Sequence, residues 1–319
     1  MKRIVLPRKI RTRPTLTVVI PCYNYGHFLQ AAVASVLDQP GVDARVIIVD
    51  DASPDGSGEV ARELARMDSR VRAVIHETNS RHIQTYNDGL ALVDTDYVTL
   101  VSADDIVAKG ALGRAVALME TNPSVGLVYG SIAIFARDDD PRPTRARWYH
   151  LWRIWSGDEW VGAVAASGYN FLASPEAVVR TAAMREVGYY NRELPHSGDL
   201  EYWLRIAARW DVGQIYGPIQ AYYRVHGGNM HTSDFGTREA DLKERFAAFR
   251  VLGDPSVANE LPRAAEHLDT ARRTLLGQAD ALLEEESAAG ADVSTLRLFR
   301  AQLASPPPLS TDRTIPSES

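Results

Sequence analysis

With 319 residues, 35 basic side chains against 41 acidic ones and a net charge of −6, the chain can bury a substantial core and is too acidic to grip nucleic acid broadly. Its one cysteine, Cys22, excludes an internal disulfide and suits a reducing cytoplasm. No apolar run reaches the roughly 18 residues that span a bilayer as a helix.

Residues 1–14 hold Lys2, Arg3, Arg8, Lys9, Arg11 and Arg13, with no acidic residue and no long apolar stretch. They read as a basic flexible arm rather than a secretory signal, able to touch a partner or anionic lipid on the inner face of a membrane. From 15 to 135, β-type runs alternate with helical ones, which predicts an α/β fold with a Rossmann-like, mostly parallel sheet flanked by helices. Strands are expected near 16–22, 45–50, 71–76, 96–102 and 125–131, and helices over 26–38 and 56–67. Phe28, Ala32, Val36 and Leu37 on the first helix, and Val60, Leu64 and Met67 on the second, would face the sheet. Residues 137–147 combine charge and proline without periodicity and read as a loop. Trp148, Trp152 and Trp155 then recur at helical spacing, with Trp160 and several arginines nearby; core packing, an acceptor-stacking platform or an interfacial membrane anchor would each use such a face. Helices over 176–186 and 198–210 and a strand near 219–225 fill out a second half, 136–235. A C-terminal helical extension covers 236–304, where Leu261, Leu268, Leu275 and Leu282 repeat every seven residues. Such a seam either packs on its own domain or joins two subunits of a homo-oligomer. Residues 305–319 have no means of burying a core and read as a disordered tail.

Three of the strands end in polar residues. Val98–Asp105 runs into Asp104 and Asp105, Arg45–Asp51 into Asp50 and Asp51, and Leu16–Asn24 into Tyr23 and Asn24. In open α/β sheets the ligand lies beyond the carboxyl ends of the strands, so these groups would share one crevice. Paired carboxylates repel each other unless a hard cation keeps both ionised, and a carboxylate such as Asp51 can accept hydrogen bonds from a base on which Tyr23 stacks. Together they suggest a nucleotide bound through a divalent metal; turn and helix-cap roles for the same aspartates are the plain alternative. The match of Gly56–Ala61 to a dinucleotide fingerprint is set aside, because Asp50–Asp55 separates strand from glycine and would repel phosphate. Walker, zinc-type cysteine, His-Glu-x-x-His and nucleophile-elbow motifs do not occur.

Four blocks in order, Val18–Asn24, Val49–Gly56, Asn79–Gly89 and Leu100–Asp105, resemble those of family 2 glycosyltransferases of the GT-A fold. Val187–Asn191, Gly198–Ile206 and Tyr222–His226 are similar to that family's acceptor half, so the resemblance runs from about Leu16 to Asn229. It implies a nucleotide diphosphate sugar as donor and Mg²⁺ or Mn²⁺ as cofactor. Tyr23 would stack on the nucleobase, Asp51 would hydrogen-bond it, and the backbone near Pro21 would line the same pocket. Asp104 would reach ribose or metal, Asp105 would be the main protein ligand of the metal, and His226 would touch metal or phosphate. Arg81, or His82 beside it, would meet the diphosphate, since Tyr86 stands where many relatives have arginine. Ser102 occupies the first acidic position of the family's Asp-x-Asp motif, and Gly198 stands where a glutamate usually precedes Asp199.

Asp199 opens a helix beside Tyr202, Trp203 and Leu204, apolar neighbours that would raise its proton affinity; it is the candidate general base, with an ordinary helix cap as the alternative. Trp203 and Trp155 are the candidate acceptor contacts. The expected activity is inverting, metal-dependent transfer of a sugar to an acceptor hydroxyl on a glycan, a lipid-linked molecule or a small molecule. The other readings are a sugar-phosphate nucleotidyltransferase, for which no glycine-rich triphosphate loop is found, and a non-catalytic nucleotide-sugar binding protein.

Overall fold

The computed structural model describes residues 3–228 and 237–305. The tail expected beyond Ser305 lies outside the described residues. In chain order the regular elements are β1 (Arg3–Val5), β2 (Thr15–Cys22), α1 (Gly26–Leu37), β3 (Asp43–Asp50), α2 (Ser57–Met67), β4 (Val71–Ile75), α3 (His82–Ala91), β5 (Tyr97–Leu100), β6 (Ile106–Val107), α4 (Ala111–Thr121) and β7 (Val125–Phe135). They continue with β8 (Leu151–Trp155), α5 (Gly157–Ser167), β9 (Val178–Arg180), α6 (Thr181–Val187), α7 (Gly198–Arg209), β10 (Asp211–Arg224) and the helices α8 (Arg238–Phe249), α9 (Pro255–Ala258), α10 (Ala264–Ala288) and α11 (Ser294–Ala304).

Among the described residues one sheet of ten strands runs in the order β1-β8-β10-β7-β9-β5-β2-β3-β4, with β6 alongside β10. The β5-β2-β3-β4 half is wholly parallel, as βαβ alternation demands. Beyond it the sheet is mixed, because β9 lies antiparallel to both β5 and β7. Period-two alternation sorts the central strands onto two faces: Val18, Ile20, Val46 and Ile48 join the core under α1 and α4, while Val19, Ile47 and Val49 face the core under α3, α5 and α7.

Several expected details change. The buried side of α1 is carried by Leu29, Ala32, Val33 and Val36 with Leu37 packed beside them, and Phe28 turns out of the core; on α2 Val60 and Leu64 pack on the core as expected, together with the buried Ser57, Gly58 and Ala61, while Met67 is exposed. The expected helix over 176–186 begins instead as a 3-10 turn followed by β9, with helix only from Thr181. Glu176 explains the turn: its carboxylate accepts the backbone N–H groups of Ala173 and Gly130, and the β-branched Val178 and Val179 then complete the sheet. Trp152 and Trp155 lie on strand β8 rather than a helix, both buried, and Trp148 alone of that trio is exposed. The basic arm is also partly ordered, since Arg3–Val5 pair with Trp152–Ile154 as an edge strand.

The C-terminal helices do not form a separate unit. Trp160 of α5, Leu200 and Trp203 of α7 and Phe249 of α8 share one core with Leu261, Leu275 and Leu282, and Leu268 packs against it. The heptad seam is thus buried within its own chain and offers no free face to a second subunit. Gly157 permits the close approach of α5 to α7, where a β-carbon would stand 1.7 Å from the Ala207 carbonyl oxygen. Leu275→Ala is therefore expected to cost about 2–5 kcal/mol and to lower the midpoint of one cooperative urea transition seen by tryptophan fluorescence. A first phase that removes helix while leaving the fluorescence unchanged would contradict the shared core.

Candidate active site

The carboxyl ends of β2, β3 and β5 assemble the expected crest. Non-glycine residues with positive φ sit there at Asn24 (60°) and Ala52 (56°), and at Arg81 (67°) just before α3. Such conformations cost energy and persist where surrounding contacts over-determine them. Here the Ser53 hydroxyl accepts the Asn24 N–H at 3.0 Å, and Ser57 accepts the Gly26 N–H at 2.7 Å, tying the β2 end to the β3 end. Pro21 lies half-buried in the strand, and Tyr23 is 46% exposed, with its ring open to a ligand. Burial pushes the neighbouring Cys22 thiol up to about 12.

Asp51 is buried, and one of its oxygens accepts the Ser80 N–H at 2.7 Å and meets His76 Nδ1 at 2.8 Å. Its other oxygen has no protein partner among the described residues. Asp50 holds the turn instead, accepting the Ser53 N–H at 3.1 Å. Arg81 is exposed at the start of α3, its backbone N–H bound to Asn79. Next to it, His82 Nε2 reaches the Pro195 carbonyl at 2.7 Å, and Asn87 grips both backbone groups of Tyr190, so α3 fastens one half of the sheet to the loop leading into α7.

Asp104 and Asp105 follow β5 in a turn closed by the Asp105 N–H on the Ser102 carbonyl. Both are almost wholly buried. Arg224, at the end of β10, organises them: its backbone N–H donates to Asp105 Oδ1 at 2.9 Å and its Nε–H to the Asp104 carbonyl at 2.9 Å. The guanidinium lies between the rings of Phe28 and Phe135, at 4.4 and 4.3 Å, and donates to Asp138 at 2.8 Å. Burial, and then the charge of Asp104, hold the Asp105 carboxyl well above the usual carboxylate range. His226 Nε2 lies 3.0 Å from Asp104 Oδ2, while its Nδ1 accepts the Gly228 N–H at 3.1 Å. The His226 ring thus links the Asp104 carboxylate to the Gly228 backbone.

Across the cleft Asp199 stands in the first turn of α7. Its Oδ1 accepts the Leu200 N–H at 2.7 Å, and its Oδ2 accepts the side-chain amide of Asn170 at 2.8 Å. Burial raises its pKa to about 6 against the lowering effect of those donors and of His196. The Tyr223 hydroxyl is pushed up to about 12, by burial first and then by nearby acidic groups that include Asp105, Asp104 and Asp199. Tyr86 is raised by the same three carboxylates, after burial.

The two expected acceptor platforms are not presented. Trp203 is 2% exposed and packs on Tyr190 and Tyr202, and Trp155 is 7% exposed with its N–H directed to Gln214. A ring enclosed on both faces cannot stack a sugar. Arg224, Asn170, His76 and Tyr223 join the site without having been singled out from sequence. Arg224 and Tyr223 sit in the Tyr-Tyr-Arg-Val-His block already noted; Asn170 lies in an aperiodic loop that carried no signal.

No trio of His, Cys, Asp or Glu among the described residues is grouped to hold a metal ion unaided. Among the described residues, Asp105 Oδ2 is nonetheless buried with no hydrogen-bond partner, which is the kind of atom a bound cation would satisfy. The donor set fits a metal anchored by Asp105 and completed by oxygens of a ligand.

Residues 17–171 match the family model of glycosyl transferase family 2. An uncharacterized glycosyltransferase of Nostoc sp., alr2836, is 32% identical over 230 residues, which cover 68% of this chain and 67% of that protein. The chain belongs to glycosyl transferase family 2. Among solved structures, S. aureus TarS 1-349 in complex with UDP-GlcNAc matches at 17% identity and a TM-score of 0.59, over 82% of this chain and 71% of that one. The mannosyltransferase PcManGT from Pyrobaculum calidifontis, in complex with GDP-Man and Mn²⁺, matches at 18% identity and a TM-score of 0.52, over 94% and 86%. These likenesses place the fold among the GT-A type. The match spans about a third of the length of other family relatives, such as EpsJ of Bacillus subtilis and GlyG of Streptococcus pneumoniae.

Arg224→Met is expected to lose about 2–3 kcal/mol in urea unfolding, the scale of a buried charged hydrogen bond. Arg224→Lys should restore little of it, because an ammonium cannot span the Asp104 carbonyl and Asp138 as the planar fork does.

Proposed function

We propose that this chain is an inverting, divalent-metal-dependent glycosyltransferase that moves a sugar from a nucleotide diphosphate sugar to an acceptor hydroxyl. The observation that carries the reading is the Asp104–Asp105 turn at the strand ends, where the buried Asp105 Oδ2 has no hydrogen-bond partner among the described residues; Asp199, raised to about 6 by burial, supports it. TarS bound to UDP-GlcNAc and PcManGT bound to GDP-Man with Mn²⁺ make nucleotide diphosphate hexoses the donors to try first.

On the donor side, Tyr23 stacks on the base while the unpartnered oxygen of Asp51 accepts its N–H, with His76 and Ser80 fixing that carboxylate. The Pro21 backbone closes the base pocket. Asp104 faces the ribose, and Arg81 lies beside the diphosphate. Asp105 would hold Mg²⁺ or Mn²⁺, which when bound stabilises the negative charge that develops on the departing nucleoside diphosphate.

On the acceptor side, Asp199 takes the hydroxyl proton as the oxygen attacks the anomeric carbon from the face opposite the diphosphate. One base on that face is enough for inversion. A pKa near 6 leaves the carboxylate mostly ionised at neutral pH while keeping its proton affinity above that of an ordinary aspartate. The Asn170 amide and the Leu200 N–H orient it and limit how far its pKa rises.

Asp199→Asn, assayed for hydrolysis and transfer of UDP- and GDP-hexoses with Mn²⁺, is expected to lower kcat by about two to four orders of magnitude with donor affinity unchanged. Near-parental turnover would remove Asp199 from the role, and donor binding without turnover by the parent would make the chain a binder. The acid limb of kcat/KM should fall near pH 6, with activity rising as Asp199 ionises. Asn170→Ala removes a donor that favours the ionised form, so it is expected to move that limb to higher pH.

A further inference from the structure

The segment that pairs with β8 leaves an uncommon surface at the edge of the sheet. Ile4 lies directly opposite Arg153, which in turn lies opposite Gln214 of β10, so these side chains share one face of the sheet. Val5, Trp152 and Ile215 take the other face and enter the core. On the open face Ile4 is 67% exposed; next to the ladder Leu6, just past β1, is 78% exposed, and Trp148, three residues ahead of β8, is 87% exposed. Because β1 and β8 are antiparallel, the chain leaving β1 and the chain entering β8 run from the same end of the ladder. Exposed Arg8, Lys9 and Arg11 lie on the first, and exposed Arg145 and Arg147 on the second.

Neither 3–14 nor 141–155 contains an aspartate or glutamate, although the whole chain carries a net charge of −6. The site chemistry uses none of these residues. Isolated exposed apolar residues need no explanation, but aliphatic and indole side chains on two segments whose charged residues are all basic have the composition of an interfacial anchor. Strand addition fits this edge poorly, since β1 has three residues and Pro7 follows it closely.

We infer that the β1–β8 edge docks on an anionic lipid bilayer, with the Arg and Lys side chains at the headgroups and Trp148, Ile4 and Leu6 dipping below them. The inference stands independently of the proposed reaction. Its test is flotation of the full chain with vesicles of phosphatidylcholine alone and of phosphatidylcholine mixed with phosphatidylglycerol. The parent is expected to float only with the mixed vesicles, and less so as salt rises. Each basic residue contributes about fivefold to such partitioning, so the triple variant Arg8→Gln, Lys9→Gln, Arg11→Gln should lower it by about a hundredfold. Trp148→Ser should lower it several-fold at fixed charge. Both variants alter exposed positions, so unchanged thermal unfolding is expected and separates lost docking from lost folding. A parent that stays in the soluble fraction with both vesicles overturns the inference, as does a triple variant that floats like the parent. A doubled mass in light scattering, abolished by Ile4→Asp and unaccompanied by flotation, would assign the edge to a second copy of the chain and overturn it equally.

Discussion

Two adjacent carboxylates buried side by side are the constraint around which this molecule is arranged. Repulsion and lost hydration both work against charge on Asp105, and the chain meets them with Arg224, brought from more than a hundred residues away at the end of β10. That arginine is itself buried and needs its own support, which comes from the flanking rings of Phe28 and Phe135 and from Asp138. The outward turn of Phe28 from α1 follows from this demand. The loop after β7 is likewise recruited to the site through a single acidic side chain.

The opposite wall obeys a different logic. Asp199 is raised by burial and held by donors, a balance that leaves it between an ordinary carboxylate and a neutral acid. Its partner Asn170 belongs to the loop after α5, and Arg245 of α8 packs over the neighbouring Tyr169 ring. The C-terminal helices thus reach the site through packing: they cover the helices that position it. This accounts for a single core shared between a family 2 domain and helices that might otherwise look like an appendix.

What the amino-acid pattern made legible was local. Alternating Val and Ile in β2 and β3, the break into paired aspartates after β5, and the acidic start of α7 all declare themselves within a few neighbours. What it hid depended on distant partners. Val178–Arg180 has a helix-like surrounding and becomes a strand because β5 and β7 leave a slot for it, and the tryptophans at 152 and 155 have helical spacing on what is in fact an edge-proximal strand. Trp203 looked available beside Asp199, yet one helical turn further in, its ring meets Tyr190 and Tyr202. Asn170 and Arg224 acquire meaning only from carboxylates they meet after folding. A heptad of leucines specifies an apolar stripe without saying whose surface will cover it.

The insertion of β9 also bears on how the molecule can move. Because that strand stitches β5 to β7, hydrogen-bonded ladders cross without a break beneath both walls of the cleft. Rigid-body hinging of two lobes would have to tear a ladder apart. Closure on a substrate must therefore be a matter of loops and side chains at the strand tips, above a floor that stays still.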